Sequence, residues 1–283
     1  MTRTILLTFV AMAAFAANSL LTRAALADGT IDAASFTAIR IISGALALTG
    51  LLFMGQRGAV RGRLPGNWPS ALALFTYALA FSLAYLRLTA ATGALVLFAC
   101  VQGSMIIWGV LRRDRPTLVE LAGLTVAFGA FIYLLLPGLG TPDLQGSALM
   151  MLSGIAWGAY SLLGRGVRDP LSTTAGNFIR AVPFCLPLVV MAVQSGHANQ
   201  TGIALAMVSG IVTSGIGYAI WYRALPGLST TQAATVQLTV PILAAIGAVV
   251  FLSETISLRL VIASICILGG VGFAILFRRH ATG

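Results

Sequence analysis

The sequence predicts an all-α integral membrane protein: ten transmembrane helices arranged as two inverted five-helix repeats. Three observations carry this. First, of 283 residues 58% are hydrophobic and 8% charged, with a mean hydropathy of +0.97. A water-soluble domain carries about 25% charged residues, so this chain has too little charge to cover a water-facing surface. Second, the apolar residues fall into runs of about 20, the length that crosses a bilayer as an α-helix. The short alternating segments of a β-barrel are absent from the sequence. Third, the chain repeats itself at about half its length, and internal repeats take precedence over any local pattern.

In order, the runs span 4–26, 32–54, 67–87, 90–112, 117–136, 144–165, 171–193, 202–223, 230–252 and 257–278. The first follows Arg3 and leads to Ala25-Leu26-Ala27, which resembles a secretory signal with its cleavage site. It reads instead as a retained helix, because Arg23 stands just before that site and the segment has a repeat partner deep in the chain. The second and seventh runs each hold an arginine, Arg40 and Arg180, about 8 residues inside and so about 12 Å along the axis. Pro116-Thr117 opens the fifth helix and Ser257 the tenth. Asp114 and Glu254 precede those two helices, where a carboxylate gains from the N-terminal end of the helix dipole. Pro183 and Pro187 interrupt the seventh run, Gly210, Gly215 and Gly217 thin the eighth, and Pro241 interrupts the ninth. Such breaks let a helix bend where neighbours satisfy the freed carbonyls. Gly123, Gly129, Gly269, Gly270 and Gly272 give the fifth and tenth helices small faces, fit for close packing within one protomer or between two. Homo-oligomerisation through those helices is therefore left open.

The repeat is specific. Ala14-Phe15-Ala16-Ala17-Asn18-Ser19-Leu20-Leu21-Thr22-Arg23 aligns with Ala156-Trp157-Gly158-Ala159-Tyr160-Ser161-Leu162-Leu163-Gly164-Arg165, with six of ten positions identical. In register, Ala38-Ile39-Arg40 echoes Phe178-Ile179-Arg180, Tyr85-Leu86-Arg87 echoes Trp221-Tyr222-Arg223, Asp114 echoes Glu254, and Gly129 echoes Gly269. The expected units are residues 1–138 and 139–283. Each holds five helices, an odd number, so the second sits upside down relative to the first. Secondary transporters are commonly built this way, since exchanging the two halves' conformations turns an inward-open form outward-open.

The net charge of +10 comes from 17 arginines and no lysine. In a soluble chain this balance would suggest nucleic acid. Here the arginines flank apolar runs and set orientation, so no nucleic-acid partner is expected. One side collects Arg3, Arg57, Arg61, Arg63, Arg112, Arg113, Arg115, Arg165, Arg168, Arg223, Arg278 and Arg279; the other has Arg23, Arg87 and Arg259. Both termini are thus expected in the cytoplasm. Cys100, Cys185 and Cys266 lie in apolar runs and read as small buried hydrophobes, not as a disulfide or metal framework.

None of the seven carboxylates lies mid-run; Glu120 comes nearest, about one turn into the fifth helix. Ion-driven transporters usually hold a titratable group at depth, so the pattern favours a facilitator. Neutral polar and aromatic groups are plentiful at depth. The candidate substrate-binding residues are Asn18, Tyr77, Phe98, Gln102, Trp157, Tyr160 and Tyr218. Facing lipid, their polar atoms would be costly. Together they suggest an aromatic-walled cavity suited to a zwitterion or small amphipathic metabolite. Arg40, Arg180, Pro241 and Gly215 are the candidate structural or gating residues. For the two arginines the readings are an interhelical clamp or snorkelling anchor, or capture of a substrate carboxylate.

With these features in place, the chain resembles the EamA branch of the drug/metabolite transporter superfamily along its whole length. The resemblance is carried by Ala156-Trp157-Gly158 with its weaker copy Ala14-Phe15-Ala16, by Arg40 and Arg180, and by Gln237-Leu238-Thr239-Val240-Pro241 through Ser253-Glu254-Thr255. The first half departs from the pattern, with Val101 for the proline and Asp114 for the glutamate. The resemblance implies helices 1–4 and 6–9 around a central cavity, with helices 5 and 10 outside. It also implies an exporter of amino acids, aromatic ones included, or related metabolites across a bacterial-type inner membrane. No cofactor is expected. The rival readings are a proton-coupled multidrug or metabolite antiporter and, distantly, a membrane-embedded enzyme or scaffold. An enzyme would need a catalytic or metal-binding constellation at depth, and the sequence offers none; phosphate-cradling motifs are also missing.

Overall fold

The computed structural model describes residues 2–55, 64–111, 117–138, 140–164, 166–228 and 230–276. Among them are ten helical spans long and apolar enough to cross a membrane. The first six are continuous: Thr2–Ala27, Ala33–Gly55, Trp68–Tyr85, Ala90–Leu111, Leu118–Leu135 and Leu144–Leu163. The tenth, Leu258–Leu276, is also continuous. The other three are broken. All ten lie where the sequence places them.

The helix starts are capped as their residues dictate. Asn67, Asp143, Asp169 and Asn199 each accept a bond from a backbone N–H in the first turn of the third, sixth, seventh and eighth spans. Thr117 and Glu120 form a reciprocal capping box on the fifth, and Ser257 Oγ accepts from Leu260 N at 3.1 Å on the tenth. Each such cap is worth about 1 kcal/mol. Pro116 and Asp114 lie outside the described residues, as do Arg57, Arg61, Arg63, Arg112, Arg113, Arg115, Arg165, Arg278 and Arg279.

The seventh span runs Pro170–Ala181, tightens to a 3-10 turn over Val182–Cys185, and resumes as Leu186–Ser195. Pro183 and Pro187 lack the N–H that would continue the α ladder, which places the tight turn between them. The ninth is split into Thr230–Gln237 and Thr239–Leu252. Pro241 cannot donate to the Gln237 carbonyl, and Leu238 N turns to Thr235 O at 3.1 Å instead. Thr239 Oγ1 donates to Val236 O at 2.7 Å, satisfying one of the carbonyls near the break. The eighth carries the largest departure: between Gln200–Val208 and Gly217–Ala224, Ser209–Ile216 forms a π-helix. A π segment widens the turn and re-aims its side chains, and such segments are frequent at functional sites.

The fifth and tenth spans pack chiefly on each other. Gly123 and Gly270 face one another so closely that a Cβ on either would stand 2.5 Å from the other's carbonyl oxygen. Gly129 and Gly269 face open space. The other eight spans form a bundle in which contacts between the halves come in couples: third on sixth with eighth on first, fourth on sixth with ninth on first, second on eighth with seventh on third. The outer faces carry exposed Phe9, Phe53, Phe128, Val193, Phe251 and Ile265, as a surface against lipid requires.

One expectation is corrected. Glu254 does not serve the tenth helix. Ser253 ends the ninth span in the left-handed region, at φ 53°, and turns the chain so that Glu254 reaches the start of the fourth. There both carboxylate oxygens accept from Ala90 N, at 3.1 and 2.9 Å. Arg23 Nε pairs with Glu254 Oε1 at 3.2 Å, and Arg23 Nη1 donates to Tyr85 O at 2.8 Å. The physics is the expected one, a carboxylate at a helix N-terminus, applied to a different helix. The result is a latch joining the ends of the first, third and ninth spans to the start of the fourth.

Candidate functional site

Near mid-length, the first, third, fourth, sixth and eighth spans enclose a cavity. Five of the seven candidate binding residues line it: Asn18, Tyr77, Phe98, Trp157 and Tyr218. Trp157 sits at the hub of its aromatic wall. Its ring lies 4.8 Å from that of Tyr77 and 5.2 Å from that of Tyr218, and it stacks at 5.4 Å on Tyr160. Phe15 meets Tyr218 edge-on at 5.7 Å. Offset and edge-on pairs of this kind are mutually attractive, so the wall is preorganised.

The polar corner is built by the second, third, first and eighth spans. Arg40 is 2% exposed. Its Nη2 donates to the Tyr77 hydroxyl at 2.9 Å and its Nε to Ser214 Oγ at 3.2 Å. Its guanidinium lies 5.1 Å from the Tyr77 ring centre and 5.2 Å from that of Phe81, within cation–π range. Asn18 Nδ2 donates to the Tyr77 hydroxyl at 3.4 Å, while Asn18 Oδ1 accepts from Ser209 Oγ at 2.7 Å and Thr213 Oγ1 at 3.0 Å. Ser209, Thr213 and Ser214 all belong to the π segment, which turns Thr213 toward Asn18 and Ser214 toward Arg40. The cavity is about 20 Å³, room for about one water molecule. Its walls must part before any metabolite can enter.

Two candidates stand elsewhere. Gln102 is buried on the fourth span but off the cavity wall, and Tyr160 lies behind Trp157. Arg180 is also remote: its guanidinium donates to the carbonyls of Leu64 at 3.0 Å and Pro65 at 3.2 Å, stapling the approach to the third span. Pro241 sits at the break of the ninth span, which contributes no wall residue, and Gly215 packs near Ala47 within the π segment. Sequence reasoning passed over Phe15, Phe81 and Leu97, which line the cavity. Phe15 was findable, since it is the repeat partner of Trp157. Phe81 follows Tyr77 by four residues, one helical turn on the same face. Leu97 carries no signal that separates it from lipid-facing leucines.

Ten apolar spans, five of which line a buried chamber of aromatic and neutral polar groups, define a multi-pass membrane protein. Residues 144–276 match the EamA-like transporter family. The chain is 51% identical to an uncharacterized protein of Pseudomonas aeruginosa over 95% of its length and 93% of the relative's. It is 28% identical to an uncharacterized transporter of Archaeoglobus fulgidus over 71% of this chain and 72% of that one. It is likewise 28% identical to the threonine/homoserine exporter RhtA of Salmonella typhimurium, over 49% of this chain and 48% of RhtA. A solved crystal structure superposes with a TM-score of 0.66 at 19% identity, covering 98% of this chain and 99% of that one; the likeness is one of fold. The chain belongs to the EamA-like transporter family.

Proposed function

We propose that the protein exports small organic solutes, amino acids or closely related metabolites, across a bacterial-type inner membrane by alternating access. The observation that carries this is the mid-membrane chamber, walled by Phe15, Trp157 and Tyr218 and cornered by Asn18, Tyr77 and Ser214, in a chain of a transporter family. Asn18, Tyr77, Phe98, Trp157 and Tyr218 contact the solute. Arg180 and Pro241 serve the scaffold and its hinges, and Gly215 keeps the π segment slender. Gln102 and Tyr160 support the wall from behind. The partial likeness to RhtA, itself named for threonine and homoserine, favours amino acids.

In this reading residues 1–138 and 139–283 are the two inverted halves, with both termini cytoplasmic. The coupled contacts between halves support it, because the main pairings of the eight bundled spans across the halves have counterparts when the halves are exchanged. Mid-membrane carboxylates are missing from the described spans, which favours a facilitator over a proton antiporter.

The test is counterflow in proteoliposomes. Preloaded L-threonine or L-phenylalanine should accelerate uptake of the same labelled solute, saturably and without a pH gradient, and Trp157→Ala should weaken it. Flux of neither solute sinks the amino-acid assignment. Flux that stops without a pH gradient replaces the facilitator by the antiporter.

A further inference from the structure

The polar corner of the chamber can be read atom by atom, and the reading concerns which solutes the exporter proposed above selects. Arginine carries donors and no acceptor. The Tyr77 oxygen, approached by Arg40 Nη2 at 2.9 Å and Asn18 Nδ2 at 3.4 Å, is therefore an acceptor in both contacts. Its own proton must point elsewhere, and among the described residues no acceptor takes it. Ser214 is in the same position: its oxygen accepts from Arg40 Nε at 3.2 Å, and its proton has no acceptor among the described residues. Both side chains line the cavity. Thr213 and Ser209 are not free in this way, since Ser209 donates to Asn18 Oδ1 and the Thr213 proton has acceptors in Ser209 O at 2.7 Å and Asn18 Oδ1 at 3.0 Å.

The charge behind these hydroxyls is uncompensated. The ion pairs among the described residues are Arg23 with Glu254 and Arg87 with Asp143, and neither involves Arg40. Arg40 Nη1 is buried without a hydrogen-bond partner. A buried cation held only by neutral oxygens and ring faces bears a desolvation cost, which an anion in the cavity would offset. The corner therefore presents donor hydrogens backed by positive charge, with the aromatic wall of Trp157 and Tyr218 beside it.

We propose that the Tyr77 and Ser214 hydroxyls, oriented and polarised by Arg40, form a subsite for the carboxylate of the transported solute. Tyr77 and Ser214 make the contacts; Arg40 is the positioning residue, fixing both oxygens as acceptors so that both protons face the chamber. The rest of the solute lies against Trp157 and Tyr218. Analogues in which a carboxamide replaces the carboxylate lack the anionic acceptor pair and are discriminated against.

The experiment is tryptophan-fluorescence titration of the full chain in lipid nanodiscs. L-Phenylalanine and benzoate are the carboxylate ligands, L-phenylalaninamide and benzamide the matched carboxamides, and chloride and sulfate the inorganic controls. The carboxylates should saturate the signal, with the carboxamides weaker by about 10- to 100-fold. Arg40→Gln and Tyr77→Phe should collapse that ratio toward unity, and Arg40→Lys should restore part of it. Ser214→Ala, which removes one hydroxyl and keeps the cation, should lower the ratio without abolishing it, and covers the case in which the Arg40 variants do not fold. Equal binding of carboxamides, an unchanged ratio in the variants, saturation by chloride, or saturation by none of these ligands overturns the proposal. Counterflow of the same solutes judges the exporter separately. Flux without carboxylate preference keeps the exporter and removes the subsite; carboxylate-selective binding without flux does the reverse.

Discussion

Tyr77 ties four spans together. Its hydroxyl takes bonds from Asn18 on the first and Arg40 on the second, its backbone carbonyl accepts from Ser153 on the sixth at 3.0 Å, and its ring lies against Trp157. Tyr77→Phe keeps the ring and strands two donors, so it should lower stability by about 1–3 kcal/mol, read as a fall in melting temperature. Asp32 supplies a second residue-scale test. Partial burial alone would raise its pKa, but hydrogen bonds from the Ser35 hydroxyl and the amides of Ser35, His197 and Ala34 outweigh burial and hold it below the ordinary value of 3.8. A depressed carboxyl contributes stability above its unfolded pKa and loses that contribution as pH falls through the folded one. Melting temperature should therefore drop as pH falls below about 4, and less steeply in Asp32→Asn. Arg40 and Arg180 show where residue-level legibility ends. Sequence makes them equivalent by repeat and by depth, yet one holds the chamber's polar corner and the other a loop. The difference lies in what faces them: hydroxyls of the third and eighth spans for Arg40, bare carbonyls of Leu64 and Pro65 for Arg180. No local spacing encodes a partner on another helix.

At the scale of elements, the spans were legible because apolar length is a local property, and the breaks of the seventh and ninth because proline removes a donor wherever it sits. The π segment was not legible. Gly210, Gly215 and Gly217 signal a slender eighth helix, but close approach to Gly44, Ala47 and the Arg40 backbone is a tertiary fact. Glu254 failed for the same reason: its helix N-terminus is that of the fourth span, remote in sequence. The fifth and tenth spans give a contrast within one pair of elements. A Cβ at Gly123 would come 2.5 Å from Gly270 O, whereas nothing lies within 4 Å of one at Gly129. Gly123→Leu should pry the two helices apart and lower the melting temperature by several degrees or more, on the order of an overpacking cost of 1–3 kcal/mol. Gly129→Leu should leave it near wild type. A thermal scan of both detergent-purified variants checks the pair; equal effects would mean that the tight face is misassigned.

At the scale of the whole molecule, the account rests on a chamber that can open to either side of the membrane in turn. The chamber's five lining spans include members of both sequence halves, and the Arg23–Glu254 latch ties spans together at one end of the bundle. The most direct measurement replaces Cys100, Cys185 and Cys266 by serine, places one cysteine in the wall by Ser19→Cys, and labels it with an impermeant maleimide from each side of sealed vesicles. The account predicts access from one side at a time, with the accessible side shifting when transported solute is added. Arg23→Gln should speed labelling from the side of Glu254, since it removes the ion pair that ties the spans together at that end. Labelling from a single side under every condition, or from both sides at once, would contradict it.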